Sequence, residues 1–223
     1  MKQLHELINT EEPGWELVQE WLNEAQNQYE VLPKDTARAE KELVHAQIST
    51  RSPMGAIIYE TGGILIDHGW IRILGSGHSR LDRGLMEWNN GKTFKDNGTQ
   101  PPYMLVADDA IGGYFAINAG GIGEEIGDIY YLPQDTLEWE SLDCSYSDFL
   151  NWALSGDIQK FYETFKWKNW KSDVQSLNGN QSFSFFPFLW TEYDDFEQVS
   201  RKVVPTEENY HFTLEMQQQI GEE

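Results

Sequence analysis

Three apolar runs that follow one another closely set the strongest limit on this fold. Tyr103–Ala107 (YMLVA), Tyr114–Asn118 (YFAIN) and Asp128–Leu132 (DIYYL) read as strands bounded by Gly and Asp turn signals. The links between them are only DDAIGG and AGGIGEEIG. Parallel neighbours need a crossover of a dozen or more residues, so strands this close pair antiparallel.

The same region has an unusual charge pattern. Between Lys95 and Lys160 there is no Lys, Arg or His. Twelve carboxylates lie there: Asp96, Asp108, Asp109, Glu124, Glu125, Asp128, Asp135, Glu138, Glu140, Asp143, Asp148 and Asp157. Because alternate side chains of a strand face opposite ways, some of these acids belong to turns and only a subset can share a face.

Around this centre the pattern is helical. Leu4, Leu7 and Ile8 share a face, and Val18, Trp21, Leu22 and Ala25 recur at three- and four-residue spacing. Asn9 or Thr10 is expected to cap that second helix, and Asp35 a third over Ala37–Ala46. Ala56–Tyr59, the turn signal Thr61–Gly62–Gly63 and Ile64–Ile66 read as a β-hairpin, and Trp70–Leu74 as a further strand. Residues 81–98 suggest a short helix and a loop, and Leu137–Trp139 a short strand. Ser145 or Ser147 and then Asp157 are candidate caps of two later helices, and FSFFPFLW is a partly buried extended segment before an acidic, Gln-rich tail.

Helices, then strands, then helices predict an α+β fold, with one mostly antiparallel or mixed sheet backed by helices on one face. A single domain over 1–223 is expected: N-terminal helices over about 3–46, a sheet-rich centre over about 55–140, and C-terminal helices with an extended tail over about 145–223. Nine Trp, ten Tyr and eleven Phe supply a large core and argue against disorder.

Charge narrows the partners. A net charge of −21 repels phosphate backbones and anionic membranes, so neither nucleic acid nor membrane is expected as a partner. A cationic protein would be attracted. The lone Cys144 excludes an internal disulfide framework and any Cys-based zinc site, and neighbouring carboxylates disfavour its thiolate. The start MKQLHELINTEEPGWELV has no apolar signal core and no run reaches membrane-span length, so the expectation is a soluble cytoplasmic protein.

No motif establishes a reaction. Gly75–Ser76–Gly77–His78–Ser79–Arg80 follows a strand and resembles a phosphate cradle, but no Gly-Lys-Ser/Thr closes it. The loop Ala119–Glu125 is Gly-rich, yet its carboxylates would oppose phosphate. Asp108–Asp109 at a strand end suits a hard cation, but the alternating acids of a calcium loop are missing. The five histidines form no HExxH or HxH pair, so no metal and no cofactor is expected. Lys160, Lys166, Lys168 and Lys171, interleaved with Trp167 and Trp170, read as a packed helical pair rather than a nucleic-acid site.

Several long strings in order resemble the bacterial domain-of-unknown-function family DUF2625: Tyr59–Gly77, Leu105–Asn118, Ile129–Leu142, Tyr146–Tyr162 and Phe186–Trp190. That family name carries no function. More distantly, Gly112–Phe115, Ile129–Tyr131 and Tyr146–Leu150 are similar in order to the SUKH superfamily of bacterial immunity proteins. That resemblance implies a protein that sequesters a toxin and supplies no catalytic residues.

Two function classes follow. The first is a non-enzymatic protein-binding module, of immunity type, holding a cationic toxin through Asp108, Asp109, Asp128, Glu138 and Glu140, with Tyr114, Tyr130 and Trp139 as aromatic anchors. The alternative is a small hydrolase with a site at Asp67, His68, Ser76, His78 and Arg80. A pocket where a histidine converges with carboxylates favours the second.

Overall fold

The computed structural model of the chain describes residues 1–95 and 100–221, so Asp96 lies outside the described residues. The chain opens with α1 (Leu4–Leu7), α2 (Gly14–Glu24), β1 (Tyr29–Pro33), α3 (Thr36–Ala46) and α4 (Pro53–Glu60). Next come β2 (Thr61–Ile66), β3 (Ile71–Leu74), α5 (Leu85–Asn89), β4 (Tyr103–Asp109), β5 (Tyr114–Asn118), β6 (Asp128–Leu132) and β7 (Glu140–Ser145). The last third holds α6 (Tyr146–Ser155), α7 (Ile158–Phe161), α8 (Trp170–Ser176), β8 (Gln181–Phe186), β9 (Ser200–Pro205) and α9 (Thr206–Gly221).

The fold is α+β. Strands β1 to β7 form one sheet in chain order, every neighbour antiparallel; the short β2–β3, β4–β5, β5–β6 and β6–β7 links require this. Strands β8 and β9 form a separate hairpin. Local capping sets the helix starts. Asp35 accepts from the Arg38 amide, Ser145 from Asp148 in a reciprocal capping box, and Asp157 from Lys160.

Both faces of the central strands are covered, rather than one. On one face Phe115 packs on Phe149 of α6, ring centroids 4.8 Å apart. On the other, Tyr114 meets Tyr210 of α9 edge-on at 4.9 Å. This is why β2 and β3 are buried along their whole length and show no polar alternation.

Four local expectations are corrected. Ala56–Tyr59 lies in α4 and not in a hairpin: Ser52 caps the helix by accepting from the Gly55 amide, and Pro53 occupies its first turn. The glycines of Thr61–Gly63 sit inside β2 because neighbours press on them. A Cβ on Gly62 would lie 2.7 Å from the His78 Cβ and 2.8 Å from the Pro33 carbonyl oxygen. Leu137–Trp139 is not a strand, since Leu137 has φ 56° and the Glu138 amide turns back onto the Thr136 hydroxyl. The polar tail forms α9. Its buried face includes Thr206, Asn209 and Thr213, of which Asn209 donates to Ser182 of β8 and Thr213 accepts from Gln134, so no apolar period advertises it.

One buried acid stands apart. Glu42 of α3 is fully buried, and its Oε2 accepts from the Met86 and Glu87 amides of α5. Its Oε1 has no partner. Burial, opposed by those amides, pushes its pKa from 4.5 up to about 7. The folded chain therefore holds this proton more tightly than the unfolded chain, so the stability it contributes is full below about 4.5 and is lost as pH rises through about 7. Glu42→Gln keeps the shape without the charge. It is expected to match the wild type near pH 4 and exceed it by up to about 3 kcal/mol at pH 8, read by urea denaturation. Parallel curves across that range would refute this.

Candidate functional site

The first candidate is the acidic side of the sheet. Strand β7 is its edge, and Glu140 and Asp143 on it are exposed, as are Glu138 just before and Asp148 just after. Asp128 pairs with Ser145 across the β6–β7 ladder and is half-buried. Cys144 sits among them. Burial first, and then the fields of Asp148, Asp128 and Asp143, push its thiol pKa up. Trp139 is half-buried beside Tyr103, centroids 5.5 Å apart. Among the described residues, Asp108 is the only carboxylate of the base-free segment with an ion-pair partner. The negative charge on this edge is therefore uncompensated.

Four of the residues read as partner contacts are not on that surface. Asp108, Asp109 and Tyr114 are fully buried, and Tyr130 is nearly so, its hydroxyl donating to Glu125 at 3.1 Å. Adjacent positions on β4 send Asp108 and Asp109 to opposite faces, and both faces are covered. Asp108 receives Arg72 on one oxygen and Arg83 on the other. Arg72 also donates to the Gln181 and Asp109 carbonyls, and Arg83 to the Gly179 carbonyl and Asn180. The triad ties the sheet to the 179–181 turn.

Asp109 accepts from the Gly113 and Ile111 amides and from the hydroxyls of Tyr131 and Tyr162, at 2.7 and 3.0 Å. Burial pushes its carboxyl pKa up against those bonds. Burial likewise lifts both phenols, and the field of Asp109 adds to it. With Asp108 in guanidinium pairs and Asp109 in hydroxyl bonds, neither carboxylate is offered to a cation.

The second candidate is a cleft of about 380 Å³. It lies between the β1–β3 end of the sheet and the stretch from α8 to Gly179, and it collects Glu30, His68, Arg72, Arg80 and Gln175. The turn that carries His68 is strained. Asp67, His68 and Gly69 have φ of 49°, 65° and 92°, three left-handed residues in succession, and the first two have side chains. Surrounding bonds hold them. The Gln28 side chain accepts from the His68 amide at 2.6 Å. The buried Asp67 carboxylate accepts from Lys166 at 2.6 Å and Gln159 at 2.8 Å. Lys166 in turn lies 3.9 Å above the Trp170 ring.

The five residues read as an alternative site separate. His68 and Arg80 line the cleft, whereas Asp67 is bound to Lys166 and Gln159. Ser76 is fully buried and donates to the Thr61 carbonyl at 2.8 Å, and His78 accepts from the Arg80 amide. No serine–histidine pair forms from them. Nor is the Gly75–Arg80 loop a free phosphate cradle, because the Ser76 and Gly77 amides donate to the Thr61 and Gly62 carbonyls. The Ala119–Glu125 loop is organised instead by the Asn118 side chain, which accepts from the Gly120, Gly121 and Ile122 amides. Trp167 and Trp170 are packed against Trp70, at 5.8 and 5.2 Å.

Sequence reading missed Arg72 and Arg83 as structural charges. The available signal was a lone Arg at the centre of WIRIL, which needs a buried counter-charge. Among the described residues, no helix is long and apolar enough to cross a membrane.

The family profile described as "Protein of unknown function DUF2625" matches residues 4–209. The chain is 51% identical over 189 residues to an uncharacterised protein of Haemophilus influenzae, covering 85% of this chain and 83% of that protein. It is 44% identical over 218 residues to the uncharacterised protein YbfG of Escherichia coli strain K12, covering 98% of each.

Proposed function

We propose that this chain, which belongs to the family described as protein of unknown function DUF2625, is a non-catalytic module that holds a cationic protein on the acidic edge of its sheet. The observation that carries the reading is the set of exposed, unpaired carboxylates on and beside β7: Glu138, Glu140, Asp143 and Asp148, with Asp128 behind them. Sheet edges are protected from aggregation by charged side chains, most often lysines. Several acids with no base among them add self-repulsion to the free protein, which a cationic partner relieves. Trp139 supplies the aromatic anchor. An immunity-type protein sequestering a cationic toxin is one case of this function, and it rests on the SUKH-like order of segments alone.

The hydrolase reading is weaker, because the buried Ser76 leaves the histidine of the cleft without a nucleophile. The test compares the wild type with a Glu138→Gln/Glu140→Gln/Asp143→Asn variant as bait in bacterial lysate. Asp148 is left intact because it caps α6. A basic protein, including the product of any neighbouring toxin gene, should be recovered by the wild type at low salt and lost with the variant. Identical recoveries from both baits would reject the proposal.

A further inference from the structure

We propose that the cleft beside His68 binds a small organic anion, a carboxylate or phosphate carried on a short apolar body. The first support is charge. In a chain of net charge −21, the charged groups lining this cleft are two arginines, Arg72 and Arg80, and one carboxylate, Glu30. Behind the floor, Arg72 and Arg83 share the single carboxylate of Asp108. The next acid, Asp109, turns to the other face, where it accepts from the Tyr131 and Tyr162 hydroxyls. Arg72 is thereby held in the cleft floor, and Arg80 at the rim is the guanidinium that an entering anion reaches.

The second support is construction. At the rim Arg80 is bound by Glu30, both roughly half exposed. This internal carboxylate shows that the guanidinium is placed to take an anion and is free to exchange partners with solvent nearby. The apolar walls are Leu65, Val174 and Leu177, which fit a short hydrocarbon or aromatic body. The third support is strain. His68, whose ring meets Gln175 at 3.3 Å, is held in a left-handed conformation that glycine would adopt without cost. Its side chain stands at the cleft wall despite that cost.

The site is independent of the acidic edge, so the Glu138/Glu140/Asp143 variant should bind anions unchanged. The probes are inorganic phosphate, phenyl phosphate and benzoate, each titrated calorimetrically at constant ionic strength with chloride as control. At least one should bind saturably, and the two aromatic probes separate a phosphate source from a carboxylate source. Arg80→Ala is expected to weaken binding about tenfold or more, and Glu30→Gln, which removes the competing carboxylate, to tighten it by a similar factor. His68→Gly should fold, since it relieves the left-handed strain, and bind more weakly than the wild type. No saturable response to any of the three probes, or equal affinity in Arg80→Ala and wild type, would overturn the assignment.

Discussion

Replacing Asp108 with Asn is expected to cost about 3–5 kcal/mol of folding stability. Asp108 is fully buried, and both of its oxygens carry a guanidinium, from Arg72 and Arg83. Asn has nearly the same shape but no charge, and its amide would face N–H donors with N–H donors. Two buried guanidinium groups then lose the carboxylate that both of them contact, and that lost charge pairing dominates the loss. The arginines also fix the 179–181 turn, so its bonds to Arg72 and Arg83 weaken together. Urea denaturation of the pure variant gives the value, with an unchanged slope showing that the denatured state is the same. A shift below about 1 kcal/mol would mean that the triad is solvated and does not hold the 179–181 turn.

Trp70→Ala is the second large effect, at about 3–5 kcal/mol. Trp70 is fully buried and follows the strained Asp67–Gly69 turn directly. It packs against Tyr162, Trp167 and Trp170, at 5.3, 5.8 and 5.2 Å, and thereby joins the sheet to α8. Truncation removes one of the three tryptophans of this cluster, and close-packed neighbours fill the gap only in part. The left-handed turn also loses the packing that holds it. The loss should therefore exceed that of an exposed control such as Leu17→Ala, since Leu17 is 42% exposed. Equal denaturation midpoints for the two variants would contradict this packing description.

Much of the fold was legible in the residues. The short links dictated antiparallel pairing, and β3 to β6 fall close to where the apolar runs lie. Asp35, Ser145 and Asp157 each cap a helix, because a side chain reaching an amide three residues on is a local event. What failed was non-local. Ala56–Tyr59 is apolar on every side because α4 is buried, and a buried helical turn cannot be told from a strand by periodicity. The polar buried face of α9 has no hydrophobic period to find.

The candidate site divides in the same way. Glu138 and Glu140 lie in a connection and at the start of an edge strand, and both are exposed. Asp108 and Asp109 look equally acidic in sequence. Their fate depends on Arg72 of β3, Arg83 before α5, Tyr131 of β6 and Tyr162 just after α7, none of them a sequence neighbour. His68 and Arg80 share a cleft only because β1 to β3 fold against α8, a contact that no local motif encodes.

The most direct test of the acidic edge is the dissociation constant of the captured cationic protein at about 50 and about 300 mM salt, for the wild type and for the Glu138→Gln/Glu140→Gln/Asp143→Asn variant. The wild type should lose at least about tenfold in affinity across that range, and the variant should be weaker at low salt and nearly insensitive to it. Equal constants for the two proteins at both salt concentrations would contradict the assignment of this edge as the binding surface.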